Sequence, residues 1–563
     1  MKSFKRVCAM LLAAVMVLGL AACGGGETQS AVTNDDLVGQ NADVTNTGNI
    51  TKSGYVADTV TVAFTSATSL SPWGTSNNTP GNYEVYECLY EEDITGAVIP
   101  ILADKSRGGN NPDGVPGYDH EAGSLEYTVY IYDYIYDHAG NHVTADDVVF
   151  SYNYQHDNAV TSGWDVLQKV EALDDTTVRF TFTHELDGVG EWEQLFIYCF
   201  IVDEDSWNAS PSHLLNEMIG TGPYAQLAYT SGASLTLVAY PGYWQKEELR
   251  PQVSQQNAGK IVYKFINEVA TRVMAFKNDE IDISDDIDTI NTYDFLETGE
   301  YGGKFNVWTY PAGLIYSMWL NCSEKSLCGD VNMRKAVYYA MDTDMLIALT
   351  GGTNLPVNSY SNNSNVDYDP SFDEIESYNS FHGPQEERKA LVDQYLKAAG
   401  YNGEPLMFLY QSDMQDVVTA IINILGMYGI TCDSRGTDHA GAASILEDPT
   451  QWDIEYGQWG GSYLVQKWAH AYDWANTTAG DHTVNYIYDQ EWQDLLMLVQ
   501  SKEGHTTENM LKWLQMMYDN AYGMNLFNST KSIVYRDNLH FLYRNNKFII
   551  IPGACEYHEV SGS

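Results

Sequence analysis

The stretch PQEERKALVDQYLKAAGYNGEPLMFLYQSDMQDVVTAIINILGMYGITC, residues 384–432, alternates helix-like segments with strand-like ones. Its residue spacing predicts a helix that begins at Pro384 and ends at Gly400, followed by a short apolar strand over residues 406–410. A second helix follows over residues 417–428, and a second short strand closes the stretch. Alternation of this kind predicts an α/β fold in which helices flank a parallel or mixed sheet.

The segments before this stretch add strands and helices of their own. Strand-like patterns mark residues 60–64, 125–132 and 177–183. The segment 144–147 (TADD) has the form of a capping box and therefore predicts the beginning of a helix. Apolar residues return at helical spacing over 333–341. No repeat with a period of about 20–50 residues is visible, so a solenoid is not expected.

The amino-acid composition limits the classes of protein to which the chain can belong. The chain has 563 residues, of which 44% are hydrophobic, which is enough for two or three packed lobes. Lys and Arg number 29 against 76 Asp and Glu, a formal net charge of -47. Such a surface repels phosphate backbones, so nucleic-acid binding is excluded. The 8 cysteines are too few for a disulfide scaffold.

The N-terminus predicts export and attachment to a membrane. Basic residues in the first six positions precede an apolar segment over residues 7–20, as in a secretory signal. The next residues, 20–23 (LAAC), resemble the bacterial lipobox, so we expect residues 1–22 to be removed and Cys23 to be acylated. Residues 23–54 are rich in Gly, Asn, Thr and Ser and predict a flexible tether. The alternative is an ordinary signal peptide with a chance cysteine.

Several motifs have both a functional and a structural interpretation. Residues 220–225 (GTGPYA) match a dinucleotide-binding pattern, but a helix-like segment precedes them and strand-like residues follow, so a structural turn is favoured. The acidic residues around Asp282 suggest calcium, although a solvated acidic turn fits better because the glycine of a calcium-binding loop is missing. His138 and His142 flank a glycine in a loop, which argues against zinc. No metal site is therefore expected, and a disulfide between Cys322 and Cys328 stays open.

Seven short segments follow one another in a fixed order: IPILAD (99–104), HAG with TADDVVFSY (138–152), GTGPY (220–224), YPGYW (240–244), AFKNDEID (275–282), NMRKA with YAMD (332–342), and the residues from Asp453 to Gly461. In this order they resemble the family 5 extracytoplasmic solute-binding proteins of ABC importers, the oligopeptide- and dipeptide-binding group. The resemblance extends from residue 58 to about residue 475.

The resemblance implies an α/β, two-lobed, periplasmic-binding-protein-like (class II) fold with mixed sheets, a hinge and an extra domain inserted in the first lobe. The ligand would be enclosed between the lobes as the hinge closes, and a two-subunit permease with two ATPases would receive it. It implies a monomer without catalytic residues or a cofactor. The expected divisions are residues 55–75, 213–310 and 530–563 for the first lobe, 76–212 for the inserted domain and 311–529 for the second lobe.

The resemblance also implies a set of ligand-binding residues, with Trp459 at the end of a predicted strand, where α/β sheets place their ligands. The alternative for the aromatic members is that they pack the lobes. The first lobe would contribute Ser71, Pro72, Trp73 and Asn77, and the second lobe Tyr316, Trp459, Gly460, Gly461, Ser462 and Tyr463.

One position departs from the family. In peptide-binding members an Asp soon after the tryptophan pairs with the α-ammonium of the ligand, and Ser462 stands at that position here. A hydroxyl does not neutralise a buried ammonium, although Asp473 lies downstream and is a candidate substitute. A peptide or similar small polar solute is the first expectation and an oligosaccharide the alternative. An exported hydrolase and a surface adhesin or signalling receptor are the hypotheses from other classes.

Overall fold

The computed structural model describes the chain in segments that all belong to one compact unit, Asn41–Ser563. The described residues are 59–65, 69–73, 79–158, 166–188, 190–288, 291–357, 365–375, 384–459, 463–464, 485–544 and 549–557. Among them, no helix has both the length and the apolar character that a membrane crossing requires.

The strands of the described residues are numbered here in chain order. They are β1 Val60–Phe64, β2 Glu87–Cys88, β3 Tyr90–Glu92, β4 Val98–Pro100, β5 Tyr118–Asp119, β6 Glu126–Tyr130, β7 Leu167–Asp174, β8 Thr177–Phe182, β9 Phe200–Ile201, β10 Tyr224–Thr230, β11 Ser234–Ala239, β12 Lys260–Phe265, β13 Ile283–Asp288, β14 Phe305–Leu320, β15 Leu355–Pro356, β16 Leu406–Gln411, β17 Cys432–Thr437, β18 Ile454–Trp459, β19 Gly523–Arg536, β20 Leu539–Arg544 and β21 Ile549–Tyr557.

The α-helices of the described residues are cited below by their bounds. They are Asn82–Val85, Ala145–Asp157, Glu191–Phe196, Glu204–Ala209, Val269–Lys277, Val331–Ala340, Thr343–Leu349, Gln385–Ala398, Gln415–Met427, His439–Leu446, Gln490–Gln500 and Thr507–Asn520.

Most of the strands form one large mixed sheet, with the order β10-β11-β12-β1-β13-β19-β14-β18-β16-β17. Strand β1 runs parallel to β12 and β13, and β16 runs parallel to β17 and β18. Strands β14 and β19 lie in the middle and pair antiparallel with each other. The predicted α/β class with a mixed sheet is therefore confirmed. We call β10 to β13 with β1 the first half-sheet, and β16 to β18 the second half-sheet.

The two half-sheets pack separate hydrophobic cores. One core is formed by the second half-sheet and its helices, and it contains the fully buried Trp492 and Trp513. Another is formed by the first half-sheet together with β20 and β21. Strands β14 and β19 are long, 16 and 14 residues, and their pairing extends from Phe305 opposite Arg536 to Trp319 opposite Gly523. These two strands therefore connect the half-sheets directly.

A third core belongs to the separate sheet β5-β6-β8-β7, on which the helix Ala145–Asp157 packs. The predicted capping box is confirmed, because Asp147 accepts hydrogen bonds from the backbone N–H and hydroxyl of Thr144. Strand β6 alternates as its sequence predicts, with Tyr127 and Val129 buried and Glu126 exposed. We call this region, with the adjoining β3, β4 and the helix Glu191–Phe196, the four-stranded domain.

The structural turn expected at Gly220 is confirmed, whereas the solvated acidic turn expected around Asp282 is wrong, because residues 283–288 form strand β13 inside the large sheet. A Cβ added at Gly220 would lie 2.2 Å from the carbonyl oxygen of Val85, so this turn needs glycine for close packing, and strand β10 follows it. Asp282 accepts a hydrogen bond from the backbone N–H of Thr61 at 2.8 Å and pairs with Arg536. Both motifs therefore stabilise the first half-sheet.

The histidine and cysteine pairs also have structural surroundings. His138 and His142 contact two different carbonyl oxygens, those of Gly222 at 2.8 Å and Asp133 at 3.0 Å. Cys322 and Cys328 are both free thiols in the structure, so they form no disulfide in it.

Candidate ligand-binding site

The predicted contacts from the first lobe lie in a tightly packed segment. Trp73 is 7% exposed, and its indole stacks on Tyr154 with ring centroids 4.6 Å apart. The indole Nε1 donates a hydrogen bond to the carbonyl oxygen of Phe200 at 2.9 Å. In this structure Trp73 is thus a packing residue in the core of the first half-sheet. Ser71 and Pro72 are buried beside it, Asn77 lies outside the described residues, and the ligand contacts of all four stay a prediction.

Tyr316 lies where the central strands meet the second half-sheet. Its ring stacks on Tyr456 of β18 with centroids 5.9 Å apart, and it lies 4.9 Å from the ring of Phe527 on β19. The pairing of β14 with β19 is irregular on both sides of Tyr316, between Pro311 and Ile315 and again directly after Tyr316. Tyr316 is half-buried at this irregular point.

Strand β18 ends beside the same irregular point, because Trp459 pairs with Ile315 of β14. The backbone therefore places the end of β18 at the junction of the two halves, as the sequence predicts for a ligand-binding strand end. The side chain of Trp459 and residues 460–462, which include Gly460, Gly461 and Ser462, lie outside the described residues. Their roles remain predictions.

Tyr463 lies in the part of the chain that contains the second half-sheet, and it contacts the four-stranded domain. Its hydroxyl donates a hydrogen bond to Glu193 Oε1 at 3.5 Å, and its ring is half-buried. The two residues line a small, partly open pocket. Residues from both sides form its wall: Glu92, Gly96, Val98, Gly190, Glu193, Gln194, Ile197, Tyr198, Val366 and Tyr463. Among the predicted site residues, Tyr463 is thus placed on a pocket between two parts of the chain.

The pocket has an anionic character. Burial raises the pKa of the Glu193 carboxyl above its ordinary value, and the charge of Glu92 raises it further, while Lys502 opposes the shift. Burial likewise raises the pKa of the Tyr463 hydroxyl, so this group stays a neutral donor at physiological pH. The site can therefore accept hydrogen bonds and positive charge.

Backbone contacts next to the pocket connect the four-stranded domain to the second half. Gly188 and Ser501 form an isolated antiparallel bridge, and the N–H of Lys502 donates to the carbonyl oxygen of Asp187 at 2.8 Å. Lys502 Nζ also lies 3.2 Å from Asp113 Oδ2. These contacts fix the two walls of the pocket relative to each other.

The backbone after Tyr463 is anchored by a buried carboxylate. Asp367 accepts hydrogen bonds from the N–H of Leu464 with both carboxylate oxygens, at 2.8 and 3.0 Å. No local sequence pattern marks Asp367, Glu92 or Glu193, since each is one of 76 acidic residues and acts through a distant partner. Cys23 and Asp473 lie outside the described residues.

A second small, partly open pocket lies in the first half-sheet beside the predicted segment at Ser71. Asn82 lines it, is fully buried, and its Oδ1 has no hydrogen-bond partner among the described residues. Glu84, on the same wall, accepts a hydrogen bond from the hydroxyl of Tyr263 at 3.0 Å. Burial raises the pKa of Glu84, against the opposing charge of Arg544.

The similarities to known proteins fit this architecture. The family model of the bacterial extracellular solute-binding proteins, family 5, matches residues 97–481, more than half of the chain. A peptidoglycan-binding protein, YepA of Agrobacterium fabrum, is 25% identical over 253 residues, which are 40% of this chain and 39% of YepA. The chain spans less than two fifths of the length of the curated relatives that it matches.

Solved structures show the fold. The structure of HbpA2 from Haemophilus parasuis has a TM-score of 0.72 at 18% identity, with 89% of this chain and 100% of that chain covered. The oligopeptide-binding protein AppA from Bacillus subtilis, in complex with a nonapeptide, has a TM-score of 0.65 at 15% identity, with coverages of 90% and 100%. The fold is that of the class II periplasmic binding proteins. The chain belongs to the bacterial extracellular solute-binding proteins of family 5.

Proposed function

We propose that the protein captures a peptide between its two lobes and delivers it to the permease of an ABC importer. The observation that carries the proposal is the pocket at Tyr463, since its walls come from the four-stranded domain and from the second half of the chain. A ligand in this pocket would contact both parts, and such contacts favour one relative arrangement of them. The protein would act as a binding component without a catalytic step.

The proteins to which the chain is similar support a peptide as the ligand. The AppA structure contains a nonapeptide, and YepA is described as a peptidoglycan-binding protein. The wall of the pocket offers carboxylates, an amide and two phenol groups, which suit the polar groups of a peptide. An oligosaccharide is the second candidate, because Tyr198 and Tyr463 expose aromatic rings to the same pocket and such rings stack on sugars.

The lobes are proposed to divide as the sequence predicts, at residues 76–212 for the inserted domain and 311–529 for the second lobe. We also propose that Cys23 carries the lipid and that residues 23–54 tether the folded part to the outer face of the membrane. Two acyl chains on one cysteine would supply stable anchoring, which a single chain does not. A Cys23→Ala variant should then leave the membrane fraction.

A thermal-shift screen of the purified protein against peptides of three to nine residues and against oligosaccharides tests the cargo. A ligand present at 100 times its dissociation constant stabilises the native state by about 2.7 kcal/mol, which gives a measurable rise of the melting temperature. A shift with peptides supports the proposal, and a shift with sugars alone supports the second candidate. A silent screen, together with normal peptide uptake in a deletion strain, would contradict peptide import.

A further inference from the structure

Three side chains with metal-ligating atoms converge at the edge of the four-stranded domain. His184, Asp187 and Glu191 each present one ligand atom, and these three atoms all lie within 4.8 Å of one another. The residues lie between the end of β8 and the first residue of the helix Glu191–Phe196, where solvent reaches them. Among the described residues, no other group of three or more His, Cys, Asp or Glu side chains converges in this way.

Neighbouring groups already orient two of these side chains. Glu191 Oε2 accepts a hydrogen bond from the N–H of Gly188 at 2.8 Å, while Glu191 Oε1 lies 3.0 Å from His184 Nε2. His184 Nδ1 lies 3.2 Å from the hydroxyl oxygen of Thr183. A histidine that binds a metal through one ring nitrogen commonly makes a hydrogen bond with the other, which fixes its tautomer and its orientation. Thr183 is placed to do this for His184.

The spacing and the types of ligand suit one small cation. Each ligand nitrogen or oxygen lies about 2.0–2.1 Å from a tetrahedral zinc ion, so two of them lie roughly 3.3 Å apart. The 3.0 Å between His184 Nε2 and Glu191 Oε1 is close to that separation. An ion pair between these two residues needs no further acid, whereas the cluster adds the carboxylate of Asp187. One imidazole with two carboxylates is a ligand set for Zn²⁺, while Ca²⁺ and Mg²⁺ sites are built from oxygen alone.

We propose that His184, Asp187 and Glu191 form a binding site for one divalent transition-metal ion, of which Zn²⁺ is the probe. Three protein ligands leave the fourth position of a tetrahedral ion to water. The site goes beyond the proposed function, because it lies on the surface and does not require that the protein carry any particular solute.

The site lies on the chain segment that contacts the part of the chain containing the second half-sheet. The carbonyl oxygen of Asp187 accepts a hydrogen bond from the N–H of Lys502 at 2.8 Å, and Gly188 forms the backbone bridge with Ser501. A metal ion held by residues 184, 187 and 191 would brace this segment from the side of the four-stranded domain. Zn²⁺ should therefore raise the melting temperature of the protein, because it binds the folded arrangement of the three ligands.

Titration calorimetry of the untagged protein with zinc chloride tests the site, and we expect one ion per chain. Loss of a hydrogen-bond partner behind a metal ligand commonly costs 10–100-fold in metal affinity, so loss of a ligand should cost at least about 10-fold. His184→Ala and, separately, Asp187→Asn should each show this loss. The matched control is His156→Ala, because His156 Nδ1 lies 3.0 Å from Asp157 Oδ1 in a pair of the same domain that is not part of a three-ligand group. This control should keep the affinity of the wild type.

Co²⁺ provides a second readout, since its visible absorption bands report the groups that coordinate it. Bands that appear with the wild type and with His156→Ala, and are lost in His184→Ala, would support the site. The proposal would be overturned if the protein did not bind Zn²⁺, if the ligand variants and the wild type bound it equally, or if Ca²⁺ bound as tightly. Peptide binding is measured independently, so failure of the metal site leaves the proposed function untouched, and failure of the proposed function leaves the metal site standing.

Discussion

His505 Nε2 lies 3.3 Å from Asp367 Oδ2, and Asp367 also accepts the backbone N–H of Leu464. The other ring nitrogen, Nδ1, contacts the carbonyl oxygen of Val499 at 2.7 Å. The imidazole thus connects the chain after the helix Gln490–Gln500 to the backbone that follows Tyr463. Burial alone would lower the pKa of His505, but its hydrogen bonds with Asp367 and Val499 and the charge of Asp367 outweigh burial and raise it.

A histidine whose folded-state pKa is raised contributes stability that is fully present below its unfolded pKa and is lost as pH rises through the folded value. His505→Gln should therefore lower the free energy of unfolding by about 1–3 kcal/mol at pH 6 and by clearly less at pH 9. Urea unfolding at the two pH values measures the difference. The exposed His142→Gln is the control, and an equal loss at both pH values would contradict the role assigned to the charge.

Replacement of Trp73 should affect folding before it affects binding. Its indole is enclosed by Tyr154 and Trp207, with ring centroids 4.6 and 4.9 Å away. Trp73→Ala therefore removes a large side chain from the core of the first half-sheet. We expect a loss of about 3–5 kcal/mol in the free energy of unfolding. Trp73→Phe should lose less, since it keeps an aromatic ring and gives up the hydrogen bond to Phe200. A Trp73→Ala protein with unchanged stability and abolished binding would instead place Trp73 on the ligand.

Replacement of Trp459 should affect ligand binding more than folding. The residue ends β18 opposite Ile315, at the junction of the two halves, so Trp459→Ala should weaken ligand binding while the far-ultraviolet circular dichroism and the melting temperature stay close to wild type. Loss of one large aromatic contact commonly costs about 2 kcal/mol or more, roughly 30-fold in affinity. Calorimetry with the best peptide of the screen measures it, with the exposed Tyr488→Ala as control. An unchanged dissociation constant would remove Trp459 from the site.

The buried carboxyl of Glu455 also predicts a stability that falls as pH rises, here because burial disfavours its charged form. It lies between Trp319 and Leu409 in the second half-sheet, and its Oε2 has no hydrogen-bond partner among the described residues. Burial raises its pKa to about 8. The folded state then binds this proton more tightly than the unfolded state, so stability falls as pH rises from the ordinary glutamate range to about 8.

Glu455→Gln removes this ionisation and should be more stable than wild type at pH 8.5, on the order of 1–3 kcal/mol, with little difference at pH 5. Urea unfolding at the two pH values gives the comparison. The exposed Glu121→Gln, in the loop between β5 and β6, should show no such trend. A Glu455→Gln protein that is less stable than wild type at pH 8.5 would show that the carboxylate is compensated.

Local patterns predicted the elements of the fold well. The stretch 384–432 predicted two helices and an apolar strand that the structure shows as Gln385–Ala398, Gln415–Met427 and Leu406–Gln411. The last strand begins at Cys432 and runs further than expected, since its residues are largely exposed and carry no apolar alternation. These elements follow from residues close in sequence, where spacing and caps decide the conformation.

Contacts between residues far apart in the sequence could not be predicted from local patterns. The hydrogen bond between Tyr463 and Glu193 joins residues 270 positions apart, and that between Leu464 and Asp367 joins residues 97 positions apart. A carboxylate in a chain with 76 acidic residues has no local mark of its partner. For Trp73, neither resemblance nor spacing revealed the aromatic rings that surround it, because Tyr154 and Trp207 come from distant helices.

The pairing of β14 with β19 has a mechanical consequence. The two strands are hydrogen-bonded to each other across the junction of the half-sheets, and their register is irregular at Pro311–Ile315 and after Tyr316. Irregular pairing bends and twists strands locally, so the ribbon changes direction at this point. A change of angle between the two cores would bend this double-stranded ribbon, so a stiffening substitution at its irregular point should act on both half-sheets at once.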